Sequence, residues 1–202
     1  MGRLSIEHPF FEFMGNIGDW SILNVLFVLT SLPVITIGMS AAAMYKVALR
    51  RIRKESLYVA REYFQALKEE WKQSTKLWSF FLFTGGLLLF DVLYGRNLWK
   101  SLNVMIWCLV VLWCFAIAYV FPLQARFENS FKNTLINALF LAFRNLPITL
   151  IMVLLNGIPA VCIALGEFVT LVAAPVYCII GFSATAAVNS LFLTKIFRVF
   201  VK

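Results

Sequence analysis

The residues of this sequence that could do acid–base, nucleophilic or metal chemistry are few and scattered. His8 is the single histidine, so a histidine-based catalytic triad or a zinc site built from several histidines lacks its parts. Four cysteines fall inside apolar runs without a CxxC pair, which is typical of small apolar residues: Cys108, Cys114, Cys162 and Cys178. We therefore expect no enzymatic activity, no metal site and no cofactor.

Ionisable groups within apolar segments are the usual first candidates for function in a membrane protein. Asp91 is such a group, and Arg96 follows it closely, so an ion pair at the membrane interface explains it more simply than a proton relay. Asn24, Asn156 and Asn189 also lie in apolar runs. With Asp91 they are candidates for a polar path, although the ordinary role of such amides is hydrogen bonding between helices.

The composition predicts that these residues are carried by membrane helices. Hydrophobic residues make up 61% of the 202 residues and charged residues 14%, and the mean hydropathy is +0.84. Soluble domains have roughly half apolar residues and about a quarter charged ones. The chain is long enough for roughly five or six spans of about 20 residues. We therefore expect one integral membrane domain over residues 1–202, with an all-α fold.

Apolar runs long enough to cross a bilayer divide the chain into spans and links. Five transmembrane helices are predicted, at residues 20–44, 77–94, 104–122, 146–165 and 168–193. The two longer links have apolar residues three or four positions apart, which is the pattern of an amphipathic helix. Two cytoplasmic amphipathic helices are therefore predicted, at about residues 57–76 and 126–145.

Basic residues concentrate in these two links and in the carboxyl-terminal tail, and only Arg3, Arg96 and Lys100 fall on the other side. Because cytoplasmic flanks accumulate Lys and Arg, the links and the tail are predicted to be cytoplasmic. An odd number of spans would then place the amino terminus outside. The net charge of +8 suits anionic lipid headgroups, and no nucleic-acid-binding motif accompanies it.

The first predicted span contains an unusual combination of residues. Pro33 lacks a helical N–H donor, so a kink or a break of the helix is predicted near residues 29–33. Thr36, Gly38 and Ser40 follow on a stretch of small residues that would let another helix approach closely. Two alternatives remain open: the kink merely suits packing, or the bent helix moves. The residues that could dock a partner or contact lipid beyond it are Arg50, Arg53, Glu55, Tyr58, Arg61 and Arg126.

Three stretches, "SLPVITIGMSAAAMYKVALR", "YVAREYFQALKEEWKQST" and "YVFPLQARFENSFKNTLINALFLAFRNLP", resemble the YesL-like family of small bacterial membrane proteins of unknown function. Members of that family tend to be encoded beside carbohydrate ABC transporters. The resemblance implies a multi-pass protein of the bacterial plasma membrane that assists, assembles or regulates such a transporter. The alternative is a small transporter or channel in its own right, as an oligomer.

Overall fold

The computed structural model describes residues 9–53, 55, 58–94 and 100–198, and within them it contains helices and no strand. In chain order the α-helices are α1 (Pro9–Ser31), α2 (Ile37–Ile52), α3 (Val59–Tyr94), α4 (Lys100–Arg126), α5 (Phe131–Arg144), α6 (Leu146–Ala164), α7 (Glu167–Val176) and α8 (Phe182–Phe197). A π-helical turn, Tyr177–Gly181, joins α7 to α8, so that the two form one helix, Glu167–Phe197. The predicted all-α bundle is confirmed.

Within the part of the chain that the structure describes, four helices are long and apolar enough to cross a membrane: α3, α4 from Asn103, α6, and the joined α7 and α8. Their outward-facing side chains are large and apolar, with Phe83, Leu154 and Phe168 each at least 69% exposed. A water-soluble protein seldom exposes so continuous an apolar surface. The chain is therefore a membrane protein whose outer surface suits the hydrocarbon of a bilayer.

The first predicted span differs from the structure, because residues 20–44 form two helices and not one kinked helix. Helix α1 ends at Ser31, a short 3₁₀ turn covers Val34–Thr36, and α2 begins at Ile37. Pro33 has an extended backbone, with φ −73° and ψ 120°, and its carbonyl accepts a hydrogen bond from the Thr36 N–H at 2.9 Å. Proline disfavours helical geometry in the residue before it, so the helix breaks here, which is one of the two outcomes predicted from Pro33.

The two helices on either side of this break form a hairpin. The carboxylate of Asp19, in α1, contacts the guanidinium of Arg51, in the last turn of α2. A segment that crossed the roughly 30 Å hydrocarbon layer between these residues would hold them far apart. The structure therefore corrects the predicted crossing at residues 20–44: both ends of this segment lie at the same end of the bundle.

The remaining predicted segments correspond to helices with adjusted ends. The predicted amphipathic segment 57–76 and the span 77–94 are one uninterrupted helix, α3. The second amphipathic helix, α5, begins later than predicted, because Ser130 caps it by accepting a hydrogen bond from the Asn133 N–H at 3.4 Å. Arg126 belongs to the end of α4.

Helix α2 lies at the centre of the bundle and packs against α3, α4 and α8. Its buried face consists largely of small residues, and Ala42, Ala43 and Ala48 are fully buried. Gly38 lies against Ser74 and Trp78 of α3, whereas Lys46 and Arg50 contact acidic residues earlier in α3. The two helices therefore run antiparallel, and small side chains allow α2 to be enclosed on several sides.

Candidate functional site

The basic end of α2 is joined to its neighbours by ion pairs. The Lys46 ammonium lies 2.9 Å from Glu69 and 2.8 Å from Glu70, both in α3. The second oxygen of Glu70 accepts a hydrogen bond at 2.8 Å from the Gln124 amide of α4. Burial alone would lower the pKa of Lys46, but the hydrogen bonds and charges of Glu70 and Glu69 outweigh it, so the pKa is raised. This cluster fixes three helices relative to one another.

Three of the predicted docking residues meet one turn further along. Arg50 lies 2.8 Å from Glu55 and also contacts Glu62, and Arg53 lies 3.0 Å from the other oxygen of Glu55. The side chains of Arg50 and Glu55 are more than a third exposed, so each pair contributes little to stability by itself. The charges of these side chains are largely neutralised by one another, and the pairs connect the end of α2 with the beginning of α3.

The predicted apolar stripe on the first half of α3 divides between two surfaces. Tyr63 is fully buried and Ala66 nearly so, whereas Phe64 is 47% and Trp71 53% exposed. Arg61 and Lys68 are exposed as well. Residues 61, 64, 68 and 71 follow the spacing of a single helix face, so they form a continuous surface. We call Arg61, Phe64, Lys68 and Trp71 the outer stripe of α3; Tyr58, 83% exposed, lies just before the helix.

The break at Pro33 is held by hydrogen bonds on both sides. The Thr36 hydroxyl lies 2.5 Å from the Thr30 carbonyl and 2.6 Å from the Pro33 carbonyl. The Trp78 indole N–H donates to the Val34 carbonyl at 2.6 Å. These bonds give Thr36 a definite role, since it satisfies carbonyls that the interrupted helix leaves free.

Gly38 and Ser40 lie in the close contact that the sequence predicted. A Cβ placed on Gly38 would collide with the Trp78 Cβ and would lie 2.9 Å from the Ser74 carbonyl oxygen. Ser40 is fully buried. Only a glycine therefore allows α2 and α3 to approach this closely.

Asn24 has a structural partner that the sequence did not reveal. Its side chain is fully buried, its amide donates to the carbonyls of Tyr177 and Cys178 at 2.8 Å, and its oxygen accepts from the Ser183 N–H at 2.8 Å. A π turn disturbs the regular helical hydrogen bonds, and Asn24 supplies replacements. Pro175 in the same apolar run was the available sign of an irregularity there.

The other candidates for a polar path are only partly brought together. The buried amide of Asn189 donates to the Tyr45 hydroxyl and to the Asn156 side-chain oxygen, both at 3.0 Å. Within the described residues no hydrogen bond joins Asn24 or Asp91 to this pair. Asp91 is exposed, and its expected partner Arg96 lies outside the described residues. These hydrogen bonds are contacts between packed helices, which is the ordinary role of such amides.

Arg126 belongs to a second basic cluster, which shares Arg53 with the cluster around Arg50. With Arg53 and Arg198 it lines a cavity of about 250 Å³ whose walls include Leu49, Thr194 and Phe197. The ends of α2, α4 and α8 therefore meet at one end of the bundle. Arg198 was not singled out from the sequence, where it is one of several basic residues in the tail.

The described part of the chain has no group of three or more His, Cys, Asp or Glu side chains that could hold a metal ion. Its clustered charges join helices, and its exposed charges and aromatic rings form surfaces. The chemistry of these groups is that of binding. A partner could bind at the outer stripe, and an anion could bind in the arginine-lined cavity.

Comparison with known proteins found a family model that matches part of the chain. Residues 20–92, about a third of the chain, match the model of a family described as a protein of unknown function, DUF624. The matched segment covers the second half of α1, all of α2 and nearly all of α3. It therefore comprises the hairpin and the long helix that packs against it. No curated protein and no solved structure matches the chain.

Proposed function

We propose that this chain is a non-enzymatic membrane protein that serves as an accessory, assembly or regulatory partner of a carbohydrate ABC transporter. The observation that carries the proposal is the outer stripe of α3. It displays Phe64 and Trp71 between Arg61 and Lys68, on a helix that continues without a break into a membrane span. The sequence resemblance to the YesL-like family supports the choice of a carbohydrate transporter as partner.

The outer stripe has the composition of a protein-binding surface. Aromatic and arginine side chains are enriched at such interfaces, and aligned exposed rings are costly to leave in water. The pairs of Lys46 with Glu69 and Glu70 hold the opposite face of α3 against α2. A partner would therefore meet a surface that is already ordered, which reduces the entropy lost on binding.

We propose the cytoplasm as the location of this surface. The basic residues around Arg53, Arg126 and Arg198 support that orientation, because Lys and Arg accumulate on the cytoplasmic side of bacterial membranes. The contact of Asp19 with Arg51 supports the same side for the start of the described α1. We therefore propose that both ends of the chain are cytoplasmic, in place of the outside amino terminus expected from five spans.

A second candidate, a small oligomeric transporter or channel, is favoured by Asn156. The Asn156 side chain is exposed on α6, a helix long and apolar enough to cross a membrane. An amide that faces lipid lacks hydrogen-bond partners, which is unfavourable. A second copy of the chain could cover it. In that arrangement Asn156 and Asn189 would lie near the interface between copies.

Purification from native membranes distinguishes these functions. The tagged chain is extracted in mild detergent, and co-purified proteins are quantified by mass spectrometry. We expect the subunits of one carbohydrate transporter to co-purify, and to be lost from the variant Arg61→Glu/Trp71→Ala. Lys132→Glu/Phe143→Ala, which changes an exposed basic residue and an exposed ring on α5, is the matched control.

Recovery of the chain without any transporter subunit would refute the accessory role. Solute flux in liposomes that contain only the purified chain, abolished by Asn156→Leu, would instead establish the second candidate.

A further inference from the structure

The cavity at the meeting point of α2, α4 and α8 has the chemistry of an anion site. Arg53, Arg126 and Arg198 contribute three guanidinium groups to a space of about 250 Å³. Each guanidinium offers several N–H donors in a plane, a geometry that matches the oxygens of a phosphate group.

The arginines differ in how far their charge is neutralised. Arg53 is paired with Glu55, and its Nε donates to the Leu49 carbonyl at 3.3 Å. Among the described residues, no carboxylate lies within ion-pair distance of Arg126 or Arg198. Two positive charges therefore face the cavity without a counter-charge from the described part of the chain.

Phe197 lines both this cavity and a second groove of about 200 Å³, whose lining is apolar apart from Asn129 and Asn137. Leu123, Phe127 and Phe140 form much of its wall. A basic space beside an apolar one suits a molecule with a charged head and a hydrocarbon tail.

We propose that Arg126 and Arg198, with Arg53 beside them, bind the phosphate of an anionic phospholipid, whose acyl chain occupies the groove along Phe127 and Phe197. The ligand chemistry is a phosphate ester. Basic pockets between membrane helices on the cytoplasmic side are suited to such headgroups. This inference is independent of the transporter partner proposed above, because the outer stripe of α3 is a different surface.

Basic residues at helix ends also stabilise the helix dipole, and this simpler role must be separated from lipid binding. Lys195 makes the separation possible, since it lies in the last turn of α8 but outside the cavity. Lys132, exposed near the start of α5, provides a second control position. The variant Arg126→Gln/Arg198→Gln and the control Lys132→Gln/Lys195→Gln change the net charge equally.

The experiment measures lipid retention by the full chain. The protein is reconstituted in phosphatidylcholine vesicles with and without phosphatidylglycerol, released in mild detergent and analysed by native mass spectrometry. We expect the wild type and the control to retain phosphatidylglycerol selectively. The arginine variant should retain less by about fivefold for each arginine removed.

A parallel arm adds excess inorganic phosphate before the analysis. If phosphate displaces nothing and the lipid is retained, the lipid is the ligand as proposed. If the wild type binds phosphate but shows no preference for phosphatidylglycerol, the ligand is a soluble phosphate and the lipid assignment is wrong. Equal loss in the arginine variant and the lysine control, or no selective retention by the wild type, overturns the site.

Should the double variant fail to fold, Arg198→Gln alone serves, because Arg198 is exposed and follows the last helix. Its readout is the increase in melting temperature that added phosphatidylglycerol produces. That increase should be present in the wild type and in Lys195→Gln and smaller in Arg198→Gln.

Discussion

Asp19 and Arg51 form an ion pair across the opening of the α1–α2 hairpin, although an apolar stretch long enough to cross a bilayer separates them. This contact bears on which side of the membrane the two residues occupy, and hydropathy alone does not indicate that. It predicts that the residues just before and just after the hairpin lie on one side of the membrane.

Cysteine labelling tests this sidedness. In a background where the four native cysteines are serine, Gly15→Cys, Lys195→Cys and Glu167→Cys each introduce one exposed thiol. We expect a membrane-impermeant maleimide to label Gly15→Cys and Lys195→Cys from the same side in sealed vesicles, and Glu167→Cys from the other. Labelling of Gly15→Cys together with Glu167→Cys would show that the hairpin crosses the membrane.

Substitution of Gly38 should separate α2 from α3. Gly38→Ala introduces a methyl group that collides with Trp78 and the Ser74 carbonyl, and overpacking of this kind costs about 1–3 kcal/mol. Melting temperature in detergent, followed by the loss of helical circular dichroism, should fall by about 2–4 °C for each kcal/mol.

Gly86→Ala is the matched control for Gly38→Ala. Gly86 is also in a helix, but a Cβ there meets no atom within 4 Å. Alanine favours a helix over glycine, so this control should melt at the same or a slightly higher temperature. Equal destabilisation by both substitutions would rule out the close contact of α2 with α3.

Asn24→Leu removes two hydrogen bonds to carbonyls of the π turn and one from the Ser183 N–H at the start of α8, and it leaves these three backbone groups without that partner. Hydrogen bonds between membrane helices contribute on average roughly 0.6 kcal/mol each, so a total loss of about 2 kcal/mol is expected. Amide hydrogen exchange in Tyr177–Gly181 should increase at the same time, which identifies the location of the change. Asn156→Leu, which removes a hydrogen bond with Asn189, should leave exchange in the π turn unaltered.

Reversal of one ion pair tests the connection between α2 and α3. Lys46→Glu places a carboxylate next to Glu69 and Glu70 and should lower the melting temperature. Lys46→Glu/Glu70→Lys restores opposite charges and should recover part of the loss, by about 1 kcal/mol or less because the pair is partly solvated. If the loss of stability in the double variant equals the sum of the losses in Lys46→Glu and Glu70→Lys, the pair contributes nothing.

The positions of the long helices could be predicted because their signals are local. The predicted span 146–165 ends within one residue of α6, since a proline near its start and Gly166 after its end mark both limits. Segments 57–76 and 77–94 were predicted as two helices that follow one another directly, because a change from an amphipathic to a uniformly apolar pattern looks like a boundary even where the backbone remains helical.

Contacts between distant parts of the chain could not be predicted in the same way. Hydropathy does not distinguish a crossing helix from a hairpin of similar apolar content, so the pairing of Asp19 with Arg51 was not foreseen. The asparagine that holds the π turn lies far from it in sequence, and Arg198 reaches the cavity only because three helix ends converge. Residue type identified Asn24 and Arg126 as candidates, whereas their roles depend on tertiary structure.

The π turn at Tyr177–Gly181 also determines the rotational register of everything that follows it. A π turn accommodates one residue more than an α-helical turn, and each α-helical residue corresponds to a rotation of about 100°. Without that extra residue, the side of α8 that carries Asn189 would point about a quarter-turn away from Tyr45 of α2 and Asn156 of α6. A single added residue thus sets the direction in which the last helix presents its polar and aromatic groups to the rest of the protein.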